Sequence, residues 1–403
     1  MLEQEYSRLM SSNPSPSESA SLTGAALEAL RAGDAGKART LLERATILPG
    51  AGAEAWFALS LAHRRLGSLD AEGAALDRTL ELDPRHLPAL IRKGDLYMTR
   101  SDSRAANSFY RAAVKIAGML PTLGQEWRAE IERIGKVIDS NSRVFERHLL
   151  SELEGQGLEE PGGRRFARAL DIMLGRRQVY LQQPQVFYFP ELPQIQFYER
   201  EQFPWVEALE RETAAIRKEL EAILKSGERF APYMQPGTDR PVFNTNGLLN
   251  DPSWSACHLI RGGEEVAANA ALCPGTLQAL NQLPLCRIRG RTPTVLFSLL
   301  RPGAHIPPHH GFLNTRLICH LPLIVPPGCA LRVGNETRPW RDGELVIFDD
   351  TMEHEAWNKS SELRVVLLFD IWRPELTDAE RELVARMLES IDRFGGPRQE
   401  WTQ

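Results

Sequence analysis

The chain has no apolar run long enough to cross a membrane as a helix, and its start, MLEQEYSRLMSSNPSPSESA, lacks the apolar stretch of a signal peptide. It has no excess of positive charge: 48 Lys and Arg stand against 53 Asp and Glu, a net charge of -5, so a nucleic-acid partner has no support. Cysteine is sparse. Cys257, Cys273, Cys286, Cys319 and Cys329 form no CxxC pair and are odd in number, which argues against structural zinc and against a disulfide framework. Buried thiols in a cytoplasmic protein are the expectation. No Gly-rich phosphate loop or nucleophile–base pair stands out; Gly262-Gly263 and Gly395-Gly396 read as turns. What is present is ordinary for a globular protein, 42% hydrophobic and 25% charged residues. At 403 residues the chain exceeds the usual single core, so more than one domain is expected.

Residues 1–20, rich in Ser, Pro and Glu, read as a disordered leader. Across residues 21–120 the sequence repeats every 34 residues. Trp56, Leu59, His63, Gly67, Leu76, Thr79 and Pro84 mark one copy; Leu90, Lys93, Tyr97, Tyr110 and Ala113 lie in the next. Gly33, Leu42 and Ala45 mark a less regular first copy. The period resembles the tetratricopeptide repeat, in which helix pairs bury their apolar faces by stacking on each other. Such a solenoid offers a concave surface for a peptide or protein, or serves as a scaffold for its neighbour; no basic carboxylate clamp is evident. Residues 121–180 read as a helical bridge with a Pro-Gly-Gly break, since apolar residues recur at three and four places. The aromatic, proline-rich stretch YLQQPQVFYFPELPQIQFYER cannot be a long helix and opens the domain expected at 181–403. Within it, WVEALERETAAIRKELEAILKSG reads as one helix ended by Gly227, and WSACHLIRGGEE as a strand running into a turn. His258 and Arg261 there are within reach of a substrate or simply satisfied at the surface. The closing TDAERELVARMLESIDRF has helical period and a Thr cap.

Five of the nine histidines fall between His305 and His354, among short apolar segments broken by Pro, Gly, Asn and Asp. That spacing predicts an all-β sandwich or barrel, and the histidines suggest a metal site in a cupin-like jelly roll. The expected fold class is therefore α + β multidomain: a TPR-like helical solenoid, then a double-stranded β-helix with flanking helices. Arg364 and His320 each stand in an otherwise apolar strand, where a lone charged group is costly unless paired. A dicarboxylate would be a suitable partner for Arg364.

Four pieces, HIPPHHGFLNTRLICHLPL, VGNETRPW, GELVIFDDTMEHEAWN and RVVLLFDIWRPEL, together resemble the aspartyl/asparaginyl β-hydroxylase family of iron(II)- and 2-oxoglutarate-dependent oxygenases. The similarity extends back more weakly to about Phe187. The resemblance implies iron bound by His309 and His354, with 2-oxoglutarate and O2 as cosubstrates. Two places after His309 stands Gly311 rather than a carboxylate, as is usual in this family, with water in the vacant position. His310 points to the opposite face from His309, and Asp349 and Asp350 are assigned a turn or supporting role. The resemblance further implies that Arg364 pairs with the distal carboxylate of 2-oxoglutarate, that Ser298 and His320 also contact it, and that Arg316 contacts an acidic substrate. A guanidinium suits the first task because it offers two parallel hydrogen bonds to a carboxylate. Ile318 stands where well-studied animal members carry arginine, so a cosubstrate contact is missing or the pocket differs. Period-2 geometry puts Arg316, Ile318 and His320 on one face of their strand, expected to be the lumen.

The implied reaction is hydroxylation of an Asp or Asn side chain of a peptide or protein, with the repeats as a possible holder of that partner. Hydroxylation of a free amino acid or a lipid acyl chain is the alternative within the same chemistry. A non-catalytic TPR interaction protein with an inactive oxygenase domain, and a metal-only cupin, are alternatives of other classes; the joint presence of His309, His354 and Arg364 counts against both.

Overall fold

The computed structural model describes residues 18–157, 163–226, 229–235 and 247–394. The chain forms two compact units divided between Leu170 and Asp171. The division falls ten residues before the boundary expected at 181, inside the segment read as a bridge.

The first unit is helical. Helices α1 (Glu18–Arg31), α2 (Ala35–Ile47), α3 (Ala53–Arg65), α4 (Leu69–Leu82), α5 (Leu87–Thr99) and α6 (Ser103–Met119) form three successive pairs. The 34-residue period is visible in the packing. Leu42, Leu76 and Tyr110 occupy equivalent buried places on the second helices, as do Ala45, Thr79 and Ala113. A fully buried leucine of this kind contributes about 1.5–3 kcal/mol. Asp34, Ser68 and Asp102 cap those helices, the two aspartates accepting from the Lys37 and Ala105 amides at 2.9 Å. One position breaks the pattern: Ala38 and Ala106 are buried, but the equivalent residue between them is the buried Glu72. The 29-residue helix α7 (Gln125–Leu153) follows, and its Ile134 and Trp127 join the core of the third pair. Helix α8 (Arg164–Met173) comes after it. Helix already begins at Glu18, inside the stretch 1–20 expected as a leader; residues 1–17 lie outside the described residues, as do Gly395 and Gly396.

The second unit is built on antiparallel sheets. Strands β1 (Phe197–Tyr198), β2 (Ala231–Pro232), β3 (Trp254–Arg261), β4 (Glu264–Glu265), β5 (Val295–Leu300), β7 (Arg316–Ile324), β10 (Val346–Phe348) and β12 (Arg364–Trp372) form one sheet, ordered β1-β10-β7-β12-β5-β3-β2 with β4 beside β3. Strands β6 (His305–His309), β8 (Cys329–Val333), β9 (Glu336–Pro339) and β11 (His354–Asn358) form the other, ordered β6-β11-β8-β9.

Alternation along the strands sorts the large sheet into two faces. Val295, Phe297 and Leu299 of β5, Leu317, Cys319 and Leu321 of β7, and Val365, Leu367 and Phe369 of β12 pack with Val206, Leu209, Ile216, Leu220 and Ile223. Those last five come from helices α9 (Val206–Arg211) and α10 (Thr213–Ser226). The sequence predicts one helix here, and the structure corrects this to two. The chain breaks at Glu212, and Thr213 turns its hydroxyl onto the Glu210 carbonyl at 2.6 Å, a local bond that competes with helix continuation. Gly227, expected to end the helix, lies outside the described residues. The other face of the sheet, with Leu300, Ile318, Trp254 and Val366, packs against Ile306, Leu331, Val333 and Ala356 of the smaller sheet. Short helices α11 (Ala267–Ala270) and α12 (Pro274–Leu280) follow β4. Helix α13 (Asp378–Phe394) closes the unit with Val384 and Leu388 against Trp372 and Leu376. Its start is a capping box: the Thr377 amide donates to Glu380 and the Glu380 amide donates to the Thr377 hydroxyl.

Candidate active site

A cavity of about 100 Å³ lies between the two sheets of the second unit. The smaller sheet contributes His309 from the end of β6 and His354 from the start of β11, which face each other as ladder partners. Their ring centroids are 4.0 Å apart. Each ring is oriented by the backbone just before it: His309 Nδ1 lies 2.8 Å from the Pro307 carbonyl and His354 Nδ1 3.0 Å from the Met352 carbonyl. A carbonyl only accepts, so both rings carry the proton on Nδ1 and the lone pair on Nε2, the form that binds a metal. Burial, then the neighbouring His309, holds His354 well below the usual histidine range, so it is neutral. His310 is not among the lining residues.

The larger sheet supplies Ser298, Arg316, Ile318, His320 and Arg364 to the same cavity. Arg364 is almost wholly buried and donates to the Ser298 carbonyl at 3.2 Å and hydroxyl at 3.4 Å. Its guanidinium lies over the Trp340 ring at 4.7 Å. Burial pushes its pKa down to about 10, still charged at neutral pH. Its Nε has no hydrogen-bond partner, and no carboxylate among the described residues forms an ion pair with it. His320, also buried, is pushed down to about 3 by burial and then by Arg364, and its Nδ1 has no partner. A buried cation and a buried imidazole with unmet hydrogen-bonding capacity describe a place built for an anionic group.

Arg316 is in a different condition. It donates to Asp370 at 2.8 Å and to Asp350 at 3.3 Å, all three buried. Burial pushes the Asp350 carboxyl up to about 7, against the pull of Arg316. Asp350 also decides what residue 311 can be. A β-carbon at Gly311 would lie 2.1 Å from Asp350 Oδ2, and the Gly311 amide donates to the Asp350 carbonyl at 2.6 Å. Asp349 faces elsewhere and is fully buried, accepting from Arg373 at 2.7 Å and Gln182 at 2.6 Å.

The donor set fits a two-histidine metal site. Among the described residues no three His, Cys, Asp or Glu side chains converge on one point, so two histidines are what the described residues offer a metal here.

Residues 210–374 match the sequence profile of the family described as Aspartyl/Asparaginyl beta-hydroxylase. This domain belongs to that family. The β-hydroxylase domain is 37% identical over 180 residues to an ornithine lipid ester-linked acyl 2-hydroxylase of Rhizobium tropici, covering 44% of this chain and 60% of the relative. It is 35% identical over 181 residues to the human aspartyl/asparaginyl beta-hydroxylase, covering 44% of this chain and 22% of that protein. The chain thus spans less than two thirds of the length of either relative. The solved Yersinia enterocolitica type III secretion translocator chaperone SycD covers 31% of this chain and 84% of its own at 13% identity and a TM-score of 0.29, a likeness too slight to carry an argument.

Three further groups line the cavity. His258 and Arg261, given two readings from sequence, both do so. So does Tyr233, stacked on Trp254 at 4.1 Å with the rings nearly parallel. Trp254 in turn donates to the Ser298 hydroxyl at 3.3 Å. Nothing in the local sequence around Tyr233 marks it, because its position depends on β3, twenty residues later.

Proposed function

We propose that the β-hydroxylase domain is an iron(II)- and 2-oxoglutarate-dependent dioxygenase on a double-stranded β-helix, hydroxylating an Asp or Asn side chain of a peptide or protein. The observation that carries this reading is the pairing, across one cavity, of two Nε2-presenting histidines with a buried arginine that has no carboxylate partner among the described residues. His309 and His354 would hold the iron. Arg364 and Ser298 would take the distal carboxylate of 2-oxoglutarate, with His320 beside it as a neutral hydrogen-bonding group. Iron(II), 2-oxoglutarate and O2 supply the oxidising power to place one oxygen atom in a C–H bond, the other oxygen leaving in succinate as CO2 is lost. The protein's part is to orient the target carbon and keep the site dry. Ile318, Phe348, Leu331 and Leu368 supply the apolar wall. Arg316 would contact the acidic substrate. In the helical unit, Arg64, Arg92 and Arg133 stand around Asp95 and Glu130 in an open depression, which we assign to a polypeptide partner.

The test is succinate formation by the purified protein with iron(II), ascorbate and 2-oxoglutarate, with and without Asp- or Asn-containing peptides. Peptide-stimulated succinate, with a peptide product heavier by one oxygen atom, supports the reading; no binding of iron or 2-oxoglutarate overturns it. A second reading, hydroxylation of a lipid acyl chain, is favoured by the similarity to the Rhizobium tropici acyl 2-hydroxylase. Slow succinate formation that peptides leave unchanged and lipid extract accelerates would select it.

A further inference from the structure

Hydrogen bonds hold Arg364 at one nitrogen. Its Nη1 donates to the Ser298 carbonyl and hydroxyl, on the neighbouring strand β5 of the same sheet. Nε and Nη2 make no hydrogen bond to a described residue. That edge of a guanidinium carries the two parallel N–H bonds that a carboxylate takes. Bonds at Nη1 alone leave the plane of the group free to turn about that nitrogen, so aiming the open edge requires a second hold.

Trp340 supplies it. The central carbon of the Arg364 guanidinium lies over the indole, 4.7 Å from the ring centroid. Contact through the face suits the task, because it fixes the plane of a guanidinium without using any of its in-plane N–H groups. The indole face also attracts a cation that is buried and has no carboxylate partner among the described residues. Trp340 belongs to the opposite sheet from Arg364. Strand β9 ends at Pro339, level with Ala330 of β8, and Trp340 follows it.

The ring is buried in the core between the sheets, with Ile318, Leu331, Phe348 and Val366. It does not line the cavity itself but stands behind two groups that do, Arg364 and His320. The His320 ring is 5.8 Å away, and Phe348 meets the same imidazole edge-on at 5.0 Å. The indole Nε1 is buried with no hydrogen-bond partner. Leucine or phenylalanine would fill an apolar place without stranding an N–H, which is costly. What the indole adds is the side chain whose face attracts a cation most strongly.

We propose that Trp340 is a positioning residue for the cosubstrate: its ring sets the plane of the Arg364 guanidinium, so that the open edge meets the distal carboxylate of 2-oxoglutarate. The inference rests on the reading of Arg364 as the group that takes this carboxylate. The test is calorimetric titration of the manganese(II)-loaded protein, kept free of oxygen, with two ligands. One is 2-oxoglutarate; the other is 2-oxopentanoate, the same acid with a methyl group in place of the distal carboxylate. The wild type prefers 2-oxoglutarate. Trp340→Leu weakens 2-oxoglutarate about tenfold, the size of a desolvated cation–π contact, and leaves 2-oxopentanoate unchanged. Trp340→Phe, which keeps a ring face, recovers part of the loss. In an Arg364→Met background Trp340→Leu no longer alters the preference, since no guanidinium is left to orient. A ring that only fills the core would give a different result: both ligands weaken together or neither does, and either outcome overturns the proposal. If Trp340→Leu does not fold, Trp340→Phe decides on the same ratio, and an unchanged preference overturns it. Binding by the wild type is read first. No binding of 2-oxoglutarate, or no preference for it, removes the reading of Arg364 and this inference with it; a preference that ignores Trp340 leaves that reading standing and removes this inference alone.

Discussion

Gly311 and Asp350 claim the same volume. The Asp350 carboxylate lies where the first atom of any side chain at 311 would be, 2.1 Å from an ideal β-carbon. Position 311 stands two residues after His309, where a carboxylate would complete a three-residue metal set. Asp350 sterically forbids that set. Gly311→Asp is therefore expected to lower iron affinity and to destabilise the domain by about 1–3 kcal/mol, the usual cost of overpacking. Gly311→Asp combined with Asp350→Gly vacates the volume and recovers stability. Thermal melting and iron titration of the two variants check both statements.

His354→Ala is expected to abolish iron-dependent turnover with the fold intact, since the ladders of β11 with β6 and β8 run through backbone groups that the substitution leaves in place. If His309 and His354 hold the metal as proposed, loss of one lowers metal affinity by at least the ~10–100-fold seen when a ligand's supporting partner is removed. Undiminished succinate formation would take His354 out of the site.

Two buried arginines should respond in opposite ways. Arg373 and Asp349 form an ion pair at 2.7 Å with neither side chain exposed, so Arg373→Met strands a buried carboxylate and costs about 3–5 kcal/mol. Arg364 leaves no carboxylate behind among the described residues. Arg364→Met is expected to shift stability by less than about 1 kcal/mol while weakening 2-oxoglutarate binding ~10–100-fold. Denaturant unfolding and ligand titration of the pair give the comparison.

Glu72 occupies a place that is alanine in the flanking repeats, and its Oε2 has no partner. Its pKa is raised above 4.5, by burial first and against the pull of Arg64. The folded state thus holds the proton more tightly than the unfolded chain. The stability this contributes is fully present below 4.5 and is lost as the pH rises through the raised value. Glu72→Ala is expected to stabilise the helical unit by about 1–2 kcal/mol near neutrality and by less at pH 4. Melting temperatures at the two pH values read the difference directly.

Much of this architecture is written in local spacing. The 34-residue repeat reappears as capping residues Asp34, Ser68 and Asp102 and as buried Leu42, Leu76 and Tyr110 because each repeat solves the same packing problem. Alternation brings Arg316, Ile318 and His320 to one wall for a similar reason. What spacing does not carry is proximity between distant segments or a change of phase within one. The contact of Gly311 with Asp350 spans two strands, and the stack of Tyr233 on Trp254 depends on β2 pairing with β3. Arg261 enters the cavity through a shift in the ladder that the apolar pattern of WSACHLIR conceals, since Leu259 and Ile260 are both core residues. The break at Glu212 is equally silent, because the apolar stripe of α9 and α10 continues through it.

The two histidines ride on one sheet, whereas Ser298, His320 and Arg364 ride on the other. Each half of the site lies within its own hydrogen-bonded ladder, and the halves are joined by side-chain packing and by Asn358, which donates from β11 to the Leu300 carbonyl of β5 at 3.0 Å. A small slide of one sheet over the other would thus alter the register between metal and cosubstrate while leaving each binding geometry unchanged. On the reading proposed above, turnover would be throttled from the sandwich interface, by residues such as Ile306 and Val366 that pack between the sheets.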